Sequence, residues 1–240
     1  MKYLSNTFYK YFDLEPSQDN REYFLDLMKK HELKGKIIIS KEGINGAICG
    51  LKDNVNGFLE ELRTYPGLED LTWRETVSES QCYKRTLVKI REELVPLGVG
   101  GVTPITKGGG KALKPEELKK WYDKGEDFVI LDARNDYEYE VGKFKGALEP
   151  NVEKFRDFKE RVEELEDYKD KKIVTYCTGG IRCEKASAYM KSKGFKDVYK
   201  LDGGIIEFLK LEDSDKYWDG KLFVFDKRWE ISSKETKVQN

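Results

Sequence analysis

The residues best suited to chemistry lie in the stretch YCTGGIRCEKAS, from Tyr176 to Ser187. Two cysteines, Cys177 and Cys183, and one arginine, Arg182, surround a pair of glycines. The apolar run Ile173-Val174 precedes this stretch, and a helix-like pattern follows it. We therefore expect a loop that ends a strand and opens the N-terminus of a helix.

Such a turn favours the thiolate form of Cys177. Helix N-terminal amides, the helix dipole and the charge of Arg182 all stabilise a negative sulfur. Gly179 and Gly180 tolerate positive φ, so the amides that follow Thr178 can point inward and also hold an anion above the sulfur. The alternative is an inert cysteine at the end of a core strand; the arginine and the glycines favour the reactive residue.

The length of the loop narrows the chemistry further. Four residues separate Cys177 from Arg182, whereas cysteine phosphatases that cradle a phosphate use five. A tighter nest suits a smaller group on sulfur, such as a persulfide. We take as its supporting residues the loop positions Thr178, Gly179, Gly180 and Ile181.

Metal and cofactor chemistry find little support in the composition. The chain has one histidine, His31, placed near the end of a helix-like stretch, where a surface position is expected. No C-x-x-C pair occurs, and one histidine cannot complete a His-rich metal site or a haem or non-haem iron site. No flavin fingerprint is present either. We predict no metal and no recognisable cofactor.

The overall composition indicates a protein of the cytoplasm. Among 240 residues, 38% are hydrophobic and 37% charged, and no apolar run approaches the roughly 18–20 residues that span a bilayer. The charged, aromatic N-terminus lacks the apolar block of a signal peptide, so we expect four free thiols and no membrane contact. The net charge is −1, and any nucleic-acid binding would need a local basic patch.

Residues 1–95 show the order β-α-β-β-α-β, which is typical of a ferredoxin-like α+β sandwich. The dipeptide Asn45-Gly46 predicts a hairpin turn between two of these strands. Residues 96–115 hold six glycines and three prolines, and we interpret them as a linker. The linker is either solvated or, through its lysines, part of a site.

Residues 116–228 alternate strands and helices, which predicts an α/β domain with a parallel sheet; 229–240 form a tail. One continuous helical stretch is expected over 152–170. Ligands of open parallel sheets bind at the C-terminal ends of the strands, where Cys177 and Asp132 both fall. For Asp132 and Arg134, an ion pair that shapes the neighbouring loop is favoured over direct catalysis.

Several strings in this chain resemble those of known families. YCTGGIRC resembles the active-site loop of a rhodanese domain, and LDARNDYEYEVGKFKGA resembles that domain's other signature. In order along the chain, EGING, ARNDYEYEVGKFKGA, CTGGIRCEKAS, GGIIEF and FVFDKR resemble the tRNA uridine(34) hydroxylase family. The resemblance spans nearly the whole chain, and the N-terminal domain resembles acylphosphatase, although without a convincing match to that enzyme's phosphate-binding loop.

The resemblance implies oxygen-dependent hydroxylation of the tRNA wobble uridine to 5-hydroxyuridine, with molecular oxygen as co-substrate. Cys177 aligns with the persulfide-forming cysteine of rhodaneses. Arg182 would lower the pKa of Cys177, or else act as a structural salt-bridge partner. Cys183 is either a packing residue or a resolving thiol. Longer members carry a Cys-rich tail after FVFD, and we expect no such zinc-binding extension here.

The implied substrate, the tRNA anticodon loop, needs a cationic surface. We predict a tRNA-binding patch, with Tyr83 as a stacking residue, from the basic residues Lys84, Arg85, Lys89, Arg91, Lys107, Lys111 and Lys114. Charge runs are usually solvated faces, which is the alternative. Two other functions remain open: a sulfurtransferase that carries a persulfide on Cys177, and a non-enzymatic RNA-binding or scaffold protein. The oligomeric state is not readable from the sequence.

Overall fold

The computed structural model describes residues 3–238, which divide into two compact units. Among the described residues, unit 1 holds 3–94, the segment Phe225–Trp229 and 235–238. Unit 2 holds Val95–Val224 and Glu230–Lys234. The end of the chain therefore contributes to both units, where the sequence had predicted a domain that runs to residue 228 and a separate tail.

Unit 1 alternates strands and helices. Its elements are β1 (Tyr3–Tyr11), α1 (Gln18–Lys30), β2 (Lys34–Ser40), β3 (Gly43–Leu51), α2 (Lys52–Leu62), β4 (Trp73–Ser78) and β5 (Thr86–Ile90). The strands form one sheet in the order β4-β1-β3-β2-β5, in which only β2 and β5 run parallel. The predicted ferredoxin-like sandwich is confirmed, with a fifth strand at its edge.

The core of unit 1 lies between the helices and one face of this sheet. The side chains of Phe8, Ile37 and Ile48, from three strands, point toward the helices. They pack in one core with Phe24 of α1 and Phe58 of α2. All five side chains are at most 1% exposed. Because side chains alternate along a strand, the residues between them face away from the helices.

The predicted Asn45-Gly46 hairpin turn is wrong. Both residues lie inside β3, and the chain reverses at Lys41-Glu42 instead. Gly46 is needed for packing, because a Cβ there would come within 2.2 Å of the Phe8 ring. Gly46 of this dipeptide thus allows the Phe8 ring to pack against the backbone of β3, and the dipeptide forms no turn.

Unit 2 contains the remaining elements. They are α3 (Pro104–Lys107), β6 (Lys111–Leu113), α4 (Pro115–Lys124), β7 (Val129–Asp132), α5 (Asp136–Val141), β8 (Gly142–Phe144), α6 (Phe158–Glu163), β9 (Lys172–Tyr176), α7 (Ile181–Ser192), β10 (Asp197–Leu201), α8 (Gly204–Phe208), β11 (Trp218–Gly220), β12 (Leu222–Phe223) and β13 (Glu230–Ile231). A last short helix, α9 (Ser233–Thr236), crosses the division between the units. No helix within residues 3–238 is long and apolar enough to cross a bilayer.

A parallel sheet organises unit 2, as the sequence predicts. Its strands follow the order β6-β10-β9-β7, and every neighbouring pair is parallel. Val174 and Tyr176 of β9 pack on one face, while Ile173 packs on the other. Since β9 lies inside the sheet, the loop after it opens at the C-terminal edge, flanked by β7 and β10.

The linker expected over residues 96–115 is instead an ordered part of unit 2. Leu97 is fully buried, Val102 is 6% exposed, and β6 pairs with β10 in the parallel sheet. The Gly110 N–H donates to the Ser187 hydroxyl at 2.8 Å, and a Cβ at Gly110 would approach that side chain. Some glycines here therefore permit close packing, which composition alone cannot distinguish from flexibility.

The single helix predicted over 152–170 is also wrong. The structure has α6 between two short 3-10 turns, Phe155–Asp157 and Glu166–Tyr168. Carboxylates crowd the end of α6, in the run EELED, where they oppose the negative end of a helix dipole. The apolar residues of this segment are still buried at the predicted helical spacing. They are Phe155, Phe158, Val162 and Leu165.

Candidate active site

The loop after β9 holds Cys177 at the C-terminal edge of the parallel sheet. Cys177 directly follows β9, and α7 begins four residues later at Ile181. The Gly180 amide donates a hydrogen bond to the Cys177 sulfur at 3.2 Å. Gly180 has φ 101°, which only glycine adopts readily. Gly179 needs no such conformation.

The Cys177 thiol is more acidic than an ordinary cysteine. Burial alone would raise its pKa, but a hydrogen bond from Cys183, the charge of Arg182 and the backbone amides of both residues outweigh this effect. The resulting pKa of Cys177 is about 6. The turn thus favours a thiolate at neutral pH; the sequence suggested the Arg182 charge and the backbone amides as causes, but not the hydrogen bond from Cys183.

Cys183 carries the proton of this thiol pair. Burial and its hydrogen bond to Cys177 raise the pKa of Cys183 well above its ordinary value. Both sulfurs lie in the hydrophobic core of unit 2, with no exposed surface. The opposite directions of the two pKa shifts favour a thiolate at Cys177 and a neutral thiol at Cys183.

Arg182 is bound by a carboxylate that the sequence analysis missed. Its Nη1 lies 2.6 Å from Glu138 Oε2 and its Nη2 lies 2.8 Å from Glu138 Oε1. Glu138 is fully buried on α5. Burial would raise the pKa of Glu138, but the Arg182 charge holds it below its usual range. Arg182 is therefore both a salt-bridge partner and a source of positive charge beside Cys177.

The signal for Glu138 was present but ambiguous. It lies in the stretch NDYEYEVG, where Glu138 and Glu140 alternate with aromatic residues, and only Glu138 points inward. Its partner is 44 positions away in the chain, so no local pattern links the two.

Asp132 and Arg134 form a buried ion pair at the end of β7. Arg134 Nε lies 3.0 Å from both carboxylate oxygens of Asp132, and Nη2 lies 2.6 Å from Oδ2 and from the Gly142 carbonyl oxygen. Neither side chain has exposed surface. The guanidinium also lies 5.5 Å from the centre of the Tyr176 ring. This geometry fits the structural ion pair that the sequence analysis favoured.

Gly204, the first residue of α8, also shapes the active loop. The Ile205 and Ile206 amides donate to the carbonyls of Cys177 and Thr178 at 3.0 and 3.1 Å. Gly204 has φ 66°, and a Cβ there would lie 2.4 Å from the Cys177 carbonyl oxygen. The GGIIEF string therefore supports the loop, a role that the sequence analysis did not assign.

The predicted tRNA-binding residues fall in both units. In unit 1, Lys84 and Arg85 are exposed ahead of β5, Lys89 lies within β5, and Arg91 directly follows it. Burial, followed by the charges of Lys89 and Arg91, lowers the pKa of a further residue, Lys36. Lys36, Lys89 and Arg91 therefore form a cationic cluster, of which the sequence analysis had missed Lys36.

The predicted binding residues of unit 2 are placed differently. Lys107 ends α3 and is exposed, and Lys111 pairs with Asp197 at 2.8 Å. Lys114 precedes α4 as its N-cap. In unit 1, Tyr83 is only partly exposed, and burial raises the pKa of its hydroxyl. Within residues 3–238, no group of three His, Cys, Asp or Glu side chains is placed to hold a metal ion.

Family models match both parts of the chain. A UPF0176 acylphosphatase like domain matches residues 3–94, and a rhodanese-like domain matches residues 114–211. A solved rhodanese-like domain from Anabaena covers 45% of this chain and 78% of its own, at 25% identity and a TM-score of 0.39.

Curated relatives match nearly the full length. The tRNA uridine(34) hydroxylase of Legionella pneumophila (strain Paris) is 42% identical over 236 residues, which cover 97% of this chain and 91% of the relative. The proteins of the same name from Teredinibacter turnerae and Staphylococcus carnosus are 40% and 38% identical. They cover 94% and 95% of this chain, and 70% and 72% of their own lengths. The chain therefore belongs to the tRNA uridine(34) hydroxylase family.

Proposed function

We propose that this protein hydroxylates uridine 34 of tRNA at C5, with molecular oxygen as co-substrate and Cys177 as the reactive residue. The observation that carries the proposal is the 42% identity, over 97% of the chain, to a relative named for this reaction. The low pKa of Cys177 supports its role, because a thiolate is the nucleophilic and readily oxidised form of cysteine. The cytoplasm remains the expected location, since tRNA is modified there.

The stoichiometry of hydroxylation assigns a role to the thiol pair. Insertion of one oxygen atom into the C5–H bond leaves the other to be reduced to water, which consumes two electrons and two protons. Cys177 and Cys183 supply both electrons when they close to a disulfide, and their remaining proton and one from solvent complete the water. A cellular thiol then reduces the disulfide by exchange.

Access to the sulfur requires a conformational change. Cys177 and Cys183 have no exposed surface, so no base can touch either sulfur until neighbouring residues move. Anticodon loops present unpaired bases that proteins splay out and bind on aromatic or planar side chains. We propose that tRNA binding opens the loop and admits the wobble uridine.

A sulfurtransferase is the second candidate. The Gly180 amide at 3.2 Å from the sulfur fits a small anionic group carried on Cys177. In that reaction the thiolate takes a sulfane sulfur from thiosulfate, releases sulfite and becomes a persulfide. A scaffold without activity is disfavoured, because Cys177, Arg182 and Glu138 form an intact site.

Nucleoside mass spectrometry of tRNA tests the proposal. Deletion of the gene should remove 5-hydroxyuridine made through this protein, and the wild-type gene should restore it, whereas Cys177→Ser should not. Growth without oxygen should have the same effect as the deletion. A deletion that depletes a thiolated nucleoside, with 5-hydroxyuridine intact, would establish the sulfurtransferase instead.

Thiol counting tests the electron source. Purified protein, given tRNA and oxygen but no reductant, should form one Cys177–Cys183 disulfide for each 5-hydroxyuridine. The Cys183→Ser variant should form no 5-hydroxyuridine unless a thiol is added. Product formed with both thiols still free would show that the electrons come from elsewhere.

A further inference from the structure

Two large aromatic side chains project from one short turn of unit 1. Phe225 is 60% exposed and Trp229 is 68% exposed, and they lie at the two ends of the segment Phe225–Trp229. Side chains of this size are usually mostly buried, because each contributes a large apolar surface. Two of them, four residues apart and directed outward, mark a binding surface.

The turn that carries them is rigidly anchored. Arg228 forms a fork with Asp226, with Nε 2.9 Å from Oδ1 and Nη2 2.5 Å from Oδ2. Arg228 Nη1 also donates to the Thr76 hydroxyl and the Val77 carbonyl, each at 3.0 Å. The Asp226 side chain is only 2% exposed, so the centre of the turn is fixed to β4. The aromatic residues on either side are thereby held outward.

Backbone strain at Trp229 also indicates a binding residue. Its φ is 62°, in the left-handed region that bulky residues rarely adopt. Glycine would fit this conformation without strain. A strained, exposed tryptophan on an anchored turn is the pattern of residues that contact a ligand.

Positively charged residues lie on the aromatic turn and within three positions of a residue that the turn contacts. The Lys227 amide donates to the Cys82 carbonyl at 3.0 Å, and its ammonium lies 3.3 Å from the Gln81 carbonyl. Lys84 and Arg85, both exposed, follow Cys82 by two and three positions. Exposed aromatic rings beside cations are the elements with which proteins bind single-stranded nucleic acids.

We propose that Phe225 and Trp229 stack on unpaired bases of the tRNA anticodon loop, while Lys84, Arg85 and Lys227 contact its phosphates. The inference rests on the proposed function, because that function supplies the tRNA. It adds, to the Tyr83 expected from the sequence, two aromatic residues that are 60% and 68% exposed. Stacking tolerates any base, so this surface would hold the loop and leave the choice of uridine to the active site.

Binding measurements with two RNA probes test the proposal. One probe is a synthetic anticodon stem-loop and the other is a fully paired RNA duplex of equal length. Phe225→Ala with Trp229→Ala should weaken stem-loop binding at least roughly tenfold, since each stacked base contributes roughly 5- to 150-fold. Duplex binding and the salt dependence should stay unchanged, because every cation that faces a phosphate is still present.

Three variants serve as controls. Trp229→Phe keeps a stacking ring and should bind the stem-loop nearly as the wild type does. Tyr23→Ala removes a ring of 40% exposure from α1 and should have no effect on binding. Lys84→Ala with Arg85→Ala should weaken both probes and flatten the salt dependence.

The outcomes separate this inference from the proposed function. Equal stem-loop affinity of the wild type and the double aromatic variant overturns the stacking role. Wild-type protein that binds the stem-loop through these rings, yet makes no 5-hydroxyuridine, would sink the proposed function and leave the stacking surface standing. A wild-type dimer that dissociates in the double variant would show a protein interface and overturn the RNA assignment.

Discussion

At the residue scale, the thiolate of Cys177 is stabilised although the residue has no exposed surface. Burial disfavours any charge, so the stabilisation comes from three directed effects: the Cys183 thiol, the Arg182 charge and the backbone amides. The same proximity raises the pKa of Cys183. The negative charge of the pair is therefore favoured on the sulfur of Cys177, at the end of β9.

The stability of the fold should depend on this charge. The pKa of Cys177 is about 6 in the folded protein, whereas the ordinary pKa of a cysteine thiol is 9.0. A depressed pKa stabilises the folded state above the unfolded pKa, and this contribution is lost as pH falls through 6. The difference in unfolding free energy between wild type and Cys177→Ser should thus grow from pH 6 to 9, by on the order of 4 kcal/mol.

Urea unfolding of both proteins across this pH range measures the effect. Iodoacetamide can reach the buried Cys177 only during transient openings of the loop, and its labelling rate, followed at the Cys177 peptide by mass spectrometry, should show a midpoint near pH 6 because the closed state sets the thiolate fraction. Peptide mapping is needed because the pKa of Cys82 is also lowered, to about 7, first by its hydrogen bond from Cys49. A stability difference that stays flat from pH 6 to 9 would contradict a buried thiolate.

Loss of the Glu138 carboxylate should be costly to the stability of the fold. Glu138→Gln leaves the buried guanidinium of Arg182 without its carboxylate, and broken buried pairs cost roughly 3–5 kcal/mol. Removal of a negative charge should also lower the pKa of Cys177 further. Glu140→Gln on the same helix is the matched control, because Glu140 is exposed. Equal unfolding midpoints for the two variants would show that the Arg182–Glu138 pair is unimportant for stability.

At the element scale, the active loop depends on the segment behind it. Gly203 and Gly204 both have positive φ, and Gly204 brings the start of α8 against the carbonyls of the Cys177 loop. This contact helps to position the loop. The amide of Gly180 can then reach the sulfur.

Gly204→Ala should disturb this loop more than an ordinary glycine replacement does. The new Cβ would lie 2.4 Å from the Cys177 carbonyl oxygen, which is backbone and cannot turn aside. Gly125→Ala is the control, since Gly125 has a similar φ of 63° and no atom within 4 Å of the added Cβ. Both variants carry the left-handed penalty of roughly 1–2 kcal/mol, and Gly204→Ala should lose more.

Thermal unfolding and the labelling midpoint of Cys177 measure this prediction. The Gly125 variant should keep the wild-type midpoint near pH 6, whereas the Gly204 variant should shift it upward as the amides move away from the sulfur. Identical midpoints and melting temperatures in the two variants would refute a supporting role for Gly204.

The elements also show what the sequence could and could not predict. The strands around Ile37 and Val174 could be predicted, because their short runs of β-branched apolar residues are themselves the residues that become buried. The turn at Asn45-Gly46 and the linker at 96–115 were misjudged because their glycines serve close contacts with Phe8 and Ser187. Such contacts join residues distant in the chain, as does the Arg182–Glu138 pair, and no local pattern records them.

At the scale of the whole molecule, a net charge of −1 conceals a cationic cluster in unit 1. Lys36, Lys89 and Arg91 lie close enough that, after burial, the latter two charges lower the pKa of Lys36. Among the described residues, none of these three has an ion-pair partner within 4.0 Å. Like charges held together without partners repel one another, and a polyanion would relieve that repulsion.

The salt dependence of tRNA binding should report this cluster. Lys89→Ala with Arg91→Ala should weaken binding and reduce the slope of log K against log salt, by roughly 0.7 to 0.9 for each phosphate that no longer meets a cation. The matched control is Lys29→Ala with Lys30→Ala, whose ammonium groups already pair with Asp26 and Glu61. That control should leave the slope nearly unchanged, because no uncompensated cation is removed.

The same variant carries a second readout within the protein. With two neighbouring charges gone, the pKa of Lys36 should rise toward its ordinary value, which NMR of the lysine side chains measures directly. A raised Lys36 pKa with an unaltered salt slope would confirm the cluster and show that tRNA binds elsewhere. If neither changes, the three side chains are independent, solvated charges, and the electrostatic argument for unit 1 as a tRNA-binding surface fails.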